Sequence, residues 1–261
     1  MGRRQSGLSR GPGLETLGDQ VTRRNGYTTL GRGLDIHGLF ESHIRQILDD
    51  RKPKTILEVG VLRGDCTLKL LEWCSANESH LTSLDPVAWE GELPEEVKQP
   101  MPGYKYKRGQ EGFKEWVIVP QGLEEVFRRG LQTHWTCFKT RSLDFLDSPA
   151  FKGFDLYLID GDHNYFTVTR ELELIHRHFK AGDVLLFNDV TGAWSHRDLY
   201  YDPEFIPPEH IDGHKQGVVP AINDFLDSLS EKQLWMRKNC PYKFKISTRK
   251  HNGLGVLTRL A

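Results

Sequence analysis

Short apolar runs that break off at polar, reactive residues punctuate the chain, and they leave few folds open. Leu156-Tyr157-Leu158-Ile159 stops at Asp160-Gly161-Asp162-His163, "HLTSLD" stops at Asp85, and "DVLLFND" stops at Asn188-Asp189. "KTILEVG" (Lys54–Gly60) and "HWTCFK" (His134–Lys139) are two more such runs. Near-continuous apolar segments this short predict strands covered on both faces. Helical spacing lies between them. His37–Asp50 sets Leu39, Phe40, Ile44, Ile47 and Leu48 near one face before Pro53 closes the helix, and Cys66–Cys74, Tyr165–Phe179 and Gly217–Leu229 read as further helices. Strands alternating with helices predict an α/β domain around a doubly wound, mainly parallel sheet. "YKFKIST" and "GLGVLTRL", joined by Arg249–Asn252, predict a closing antiparallel hairpin.

Two stretches interrupt this rhythm, 86–130 and 191–217. Both follow strand C-termini, where open α/β sheets bind ligands, and both are rich in Trp, Tyr and Pro, so they are expected to act as lid or substrate loops. Residues 1–26, rich in Gly and Arg, read as a flexible tail ahead of one domain over 27–261. Gly2 and Ser6 fit the loose N-myristoylation pattern, but a basic tail is the simpler reading. A formal net charge of -1 gives no general attraction to nucleic acid or membranes. No apolar run approaches the roughly 20 residues of a membrane span. The four cysteines show no metal-binding spacing, and with no secretory signal they are expected to be reduced thiols in a cytoplasmic protein.

Glu58-x-Gly60-x-x-x-Gly64 joins the first strand to a helix, a turn a ligand can approach closely. Asp85 ends the second strand, where a carboxylate can accept both hydroxyls of a ribose. The dinucleotide spacing GxGxxG is absent, which favours a nucleoside without phosphates; an adenosyl group carrying an amino acid would suit the turn. Glu58 would order the glycine turn or hold the ligand's ammonium group. This set, with a later strand ending in Asp160, resembles the class I S-adenosylmethionine-dependent methyltransferases over roughly His37 to Leu260. The resemblance implies a Rossmann-like seven-stranded sheet with one reversed strand and S-adenosyl-L-methionine as cofactor. It implies that Gly60 and Gly64 line the cofactor, with Glu58 and Asp160 beside it, that Asp85 binds its ribose, and that Ser142 borders the adenine.

Asp160, Asn188 and Asp189 sit at the tips of strands expected to be neighbours, so three oxygen donors could converge on a cation. Oxygen ligands with vacant positions suit Mg²⁺. The arrangement resembles the metal-dependent small-molecule O-methyltransferases, closest to the branch of macrolide-sugar and cephalosporin-pathway enzymes, where "DGxH" and a later acidic pair recur. Asn188 stands where that branch carries an acid, which removes a negative charge. His163, with an unperturbed pKa of about 6.5, can accept a proton near neutrality, and by resemblance it is the general base.

Plainer roles exist for each residue. Asp162 reads as the N-cap of the following helix, Asp189 could cap a turn, Asp85 could merely end a strand, and His163 could bond backbone at a helix start. His176 and His178 read as structural near a helix C-terminus, and "RELELIHRH" reads as a solvated helix face. Turn chemistry alone does not explain acids at successive strand tips. The expectation is therefore an S-adenosylmethionine-dependent O-methyltransferase acting on a small-molecule acceptor, assisted by Mg²⁺, with self-association into a homo-oligomer left open. Alternatives are a metal-independent N- or O-methyltransferase, a metal-dependent hydrolase, which would leave Glu58, Gly60, Gly64 and Asp85 unexplained, and a non-catalytic cofactor-binding protein.

Overall fold

The computed structural model describes residues 22–24, 27–29, 37–61, 64–86, 121–200, 203–211, 213–233, 236–250 and 252–260. Most of the tail, residues 87–120 of the first expected loop, and Tyr201 of the second lie outside the described residues.

A central sheet carries seven strands: β1 (Thr55–Val59), β2 (His80–Leu84), β3 (Trp135–Phe138), β4 (Leu156–Ile159), β5 (Val184–Phe187), β6 (Tyr242–Thr248) and β7 (Leu254–Arg259). Their order is β6-β7-β5-β4-β1-β2-β3, with β1 to β5 parallel and β7 antiparallel to both β5 and β6. The seven-stranded sheet with a single reversed strand and closing hairpin is the expected one. A helical segment opens at His37–Leu39, passes through a π-helical turn at Phe40–Ile44 and continues as α1 (Arg45–Arg51). Then follow α2 (Asp65–Asn77), α3 (Gln121–Arg128), α4 (Ser142–Leu146), α5 (Tyr165–His176) and α6 (Val218–Ser228). Among the described residues no helix is long and apolar enough to cross a membrane.

Successive strand residues point to opposite faces, and both faces are covered. Ile56, Leu81, Leu158 and Leu186 pack with Leu48, Leu70, Trp73 and Val126 beneath α1 to α3, while Leu57, Tyr157, Ile159 and Phe187 pack with Phe145, Leu172, Ile175 and Ile222 beneath α4 to α6. That is why the strands read as continuous apolar runs. Two local expectations change. The 86–130 stretch ends in helix α3, whose Leu123 and Val126 repeat at i and i+3 and are buried against α2's side of the sheet. The "RELELIHRH" face is not all solvated, because Glu171 is 1% exposed. His176 is structural, as expected. Its Nδ1 lies 2.5 Å from the Tyr242 hydroxyl, and burial lowers its pKa.

The sheet's register places the expected site. Phe138, Leu84, Val59, Ile159 and Phe187 form one row of paired residues across five parallel strands. The next residues are Lys139, Asp85, Gly60, Asp160 and Asn188, so four of the nominated residues share a single rim. The strand order reverses between β1 and β4, and that switch point opens the crevice.

Candidate active site

Gly60 sits at the switch point with φ +91°, and a Cβ there would lie 2.2 Å from the Asp160 carbonyl oxygen. Glycine is thus required twice over, for its backbone conformation and for its contact with the β4 tip. Gly64 caps α2 with φ +77°, and a Cβ on it would meet Leu123 Cδ2 at 2.5 Å. A Cβ on Gly122 would lie 2.3 Å from the Gly64 carbonyl carbon, so α3 seats directly on the glycine turn.

On the β1–β2 side the carboxylates are held by protein donors. Glu58 is buried, and its Oε2 accepts from Thr67 Oγ1 at 2.8 Å and Ser83 Oγ at 2.7 Å. Burial pushes its pKa up to about 7, opposed by the two hydroxyls and reinforced by Asp85. Asp85 Oδ2 accepts the Val61 N–H at 2.8 Å, which fixes the carboxylate over the glycine turn. The Asp85 N–H bonds the Phe138 carbonyl at 3.1 Å, so the β3–α4 turn lies alongside it. Ser142, the first residue of α4, is buried, and its hydroxyl approaches the Glu171 carboxyl.

On the β4–β5 side the geometry differs. His163 Nε2 lies 3.3 Å from Asp189 Oδ2 and 3.8 Å from Asp160 Oδ1. Donor atoms of Asp160, His163 and Asp189 all fall within 4.8 Å of one another. Asn188 Nδ2 donates to Asp160 Oδ1 at 2.7 Å. Burial drives the His163 ring down to about 4 and lifts Asp189 to about 6, the latter opposed by a hydrogen bond from Asn252. Asp189 itself adopts φ +57°, a left-handed corner that aspartate tolerates better than most residues. Two buried oxygens here, Asn188 Oδ1 and Asp189 Oδ1, have no hydrogen-bond partner among the described residues. The Asp160 and Asp189 carboxylates and the Asn188 amide oxygen are a donor set that fits a hard divalent cation.

Residues 57–190, just over half of the chain, match the family model described as a methyltransferase domain. The chain belongs to the methyltransferase-domain family. With a class I fold it is an S-adenosylmethionine-dependent methyltransferase. No curated protein matches the methyltransferase by sequence. Solved structures share its fold. The O-methyltransferase TomG from Streptomyces achromogenes, involved in tomaymycin synthesis and seen with S-adenosylmethionine, is 16% identical over 87% of this chain and 82% of its own, with a TM-score of 0.50. An O-methyltransferase from Bacillus cereus in complex with S-adenosylhomocysteine is 14% identical over 87% and 83%, also at 0.50.

Several residues around the methyltransferase's site escaped the sequence reading. The α5 N-cap is Asn164, whose side chain accepts from Thr167 N–H at 2.7 Å, and not Asp162. Asp162 instead accepts from Asn164 Nδ2 and Thr167 Oγ1, bracing the cap. An Asn followed three residues later by the first buried helical position was a signal for this. Asp198 fastens the second long loop. Its Oδ1 accepts from Tyr165 N–H at 2.8 Å and Gly217 N–H at 2.6 Å, its Oδ2 from the Tyr200 hydroxyl at 2.6 Å, and the next residue's N–H reaches the His163 carbonyl at 3.3 Å. Farther along the same loop, Phe205 lies under the Arg141 guanidinium, 3.3 Å from the ring centroid, beside the start of α4. No periodicity marks Asp198, because it acts from irregular chain between helices.

Proposed function

We propose that the enzyme methylates a hydroxyl oxygen of a small molecule, with Asp160, Asn188 and Asp189 holding a divalent cation, Mg²⁺ by preference, and His163 taking the proton. The observation that carries this reading is the cluster of Asp160, His163 and Asp189, whose donor atoms lie within 4.8 Å of one another on the rim that begins at the glycine turn. The fold shared with O-methyltransferases supports an oxygen acceptor. Gly60, Gly64 and the Asp85 carboxylate would receive the adenosyl ligand, with Glu58 ordering the turn beneath it and Ser142 at the adenine side. A cation bound at the β4–β5 tips would lower the acceptor hydroxyl's pKa as a Lewis acid. The Asn188 amide now offers its nitrogen to Asp160; turned by half, it offers its oxygen. His163 Nε2 faces the same space, and a hydroxyl lodged there would pass its proton to that atom. The two carboxylates 3.3 and 3.8 Å away would stabilise the imidazolium. The freed oxygen forms its bond to the methyl carbon as the carbon–sulfur bond breaks, leaving S-adenosylhomocysteine. Alignment across the shared rim supplies much of the acceleration.

The bond from Asn188 to Asp160 also suits a metal-independent variant, in which the amide alone orders the carboxylate. One experiment separates the two. Purified protein is given S-adenosylmethionine and a panel of phenols, catechols and sugar alcohols, before and after exhaustive chelation, with Mg²⁺ restored afterwards. Loss on chelation and recovery with Mg²⁺ is the expected result. Undiminished turnover after chelation would remove the cation and keep the methyltransfer, while failure to bind S-adenosylhomocysteine by calorimetry would remove the nucleoside site itself.

A further inference from the structure

Helix α3 meets the glycine turn through backbone. A Cβ on Gly122 would lie 2.3 Å from both the carbonyl carbon and the carbonyl oxygen of Gly64, and 2.6 Å from the Asp65 nitrogen. In the same contact, Leu123 occupies the place a Gly64 Cβ would take, with its Cδ2 2.5 Å from that position. Gly64 also joins the turn to α2. Its N–H donates to the Val61 carbonyl at 2.8 Å, and its own carbonyl accepts the Leu68 N–H at 2.8 Å. The Val61 N–H is in turn held by Asp85. The far half of α3 is tied down separately. Val126, one helical turn beyond Gly122, is fully buried, Phe127 packs on Trp135 of β3 with ring centroids 6.2 Å apart, and Arg129, just past the helix, pairs with Glu72 of α2.

We propose that Gly122 is a positioning residue for the cofactor: α3, anchored at its far end, seats on Gly64 through Gly122 and so fixes the turn that receives the adenosyl ligand. This rests on the reading that the turn at Gly60 and Gly64 is the nucleoside end of the site. Gly64 needs such support, because a glycine at φ +77° has no Cβ to restrict it and adopts either sign of φ with similar ease. Leu123 fills the vacant Cβ space and the first turn of α3 closes against the carbonyl, so that freedom is removed from outside. Helix formation does not ask for glycine at 122, since alanine is the better helix former. If a seated α3 strengthens cofactor binding, bound cofactor must strengthen the seating of α3 by the same factor.

Two measurements on the full chain test this. In the first, S-adenosylhomocysteine is titrated by calorimetry into wild type, Gly122→Ala and Val256→Ala. Gly122→Ala drives a methyl group into the Gly64 carbonyl and should raise the Kd by about 5- to 150-fold, the usual span of coupling between two sites. The Kd for Mn²⁺, a probe of the β4–β5 tips followed by electron paramagnetic resonance of the free ion, should not move. Val256 is buried in β7, toward the opposite edge of the sheet, so Val256→Ala should lower the melting temperature and leave the Kd for S-adenosylhomocysteine near wild type. In the second, S-adenosylhomocysteine should slow amide hydrogen exchange of wild-type residues 121–128 by more than it slows the β6–β7 hairpin. This measurement needs no variant, so it decides the matter even where Gly122→Ala does not fold. An unchanged Kd in Gly122→Ala, an equal loss in Val256→Ala, equal weakening of both ligands, or exchange in α3 that ignores the ligand would each overturn the proposal. An Asp85→Asn chain that binds S-adenosylhomocysteine as tightly as wild type would overturn the nucleoside reading of the turn, and the role of Gly122 with it. Weakening by Asp85→Asn beside an unaffected Gly122→Ala would overturn the role of Gly122 alone.

Discussion

The two halves of the rim carry the same chemistry and treat it in opposite ways. At the β1–β2 tips the carboxylates meet donors the chain supplies, two hydroxyls on Glu58 and a backbone N–H on Asp85. At the β4–β5 tips one amide oxygen and one carboxylate oxygen are buried with no partner among the described residues. An unmet buried acceptor costs about 1–3 kcal/mol, a cost that the proposed cation would offset. Glu58 also has one buried oxygen, Oε1, with no partner among the described residues, but its Oε2 accepts from both hydroxyls. On the proposed reading, the nucleoside end is a preformed receptor and the proton end is completed by a cation and an acceptor. Gly60 joins them, since its missing Cβ is what lets the β1 turn touch the Asp160 peptide.

The sharpest way to break this contrast is to remove one end at a time. His163→Ala should lower kcat by roughly 10²- to 10⁴-fold, the range for losing a positioned base, with the calorimetric Kd for S-adenosylhomocysteine unchanged. Normal turnover would refute the proton role. Gly60→Ala should damage both ends together, because an alanine at φ +91° is strained and its Cβ would overlap the Asp160 carbonyl. A loss of about 2–3 kcal/mol in urea unfolding, with weakened cofactor binding, is expected. Asp85→Asn keeps an acceptor for the Val61 N–H and removes the charge. It should raise the cofactor Kd by about tenfold, the worth of a charge-assisted hydrogen bond, and leave Mn²⁺ affinity alone. A matched loss of both ligands would show that the two ends are one unit.

How much of this was legible in the sequence follows the same division. Strands announce themselves by apolar runs, and parallel register turns the residue after each run into a rim position, so Asp85, Gly60, Asp160 and Asn188 could be brought together on paper. What the sequence hid was contributed across the fold. Asp198 acts from an irregular loop, where neither a 3.6 nor a 2.0 period operates. Glu171 sits in a charged run that matches a wet helix face, yet α4 packs over it and brings Ser142 to its carboxyl. Helix α3 was obscured because its short amphipathic stretch follows a long irregular-looking one, and its burial depends on Gly64 and Gly122 meeting backbone to backbone.

Glu171 gives the smallest expected effect and the cleanest sign. Its carboxyl is buried, neither oxygen has a well-formed hydrogen bond, and desolvation raises its pKa from near 4.5 to about 8, opposed by the Ser142 hydroxyl and reinforced by Asp162. A carboxyl whose folded pKa is raised holds its proton longer in the native state than in the unfolded chain. Its contribution to stability is complete below about pH 4.5 and is lost as pH rises toward 8. Glu171→Gln copies the neutral acid in shape and cannot ionise. The variant should therefore match the wild-type melting temperature near pH 5 and exceed it increasingly toward pH 8, by about 2–4 °C for each kcal/mol relieved. Glu58→Gln should bend the curve the same way with a midpoint nearer 7, but at the cost of cofactor binding, because Glu58 underlies the glycine turn. A wild-type and Glu171→Gln pair whose melting curves stay parallel from pH 5 to 9 would mean that water reaches Glu171, and that the α4–α5 seam beside Ser142 is open in solution.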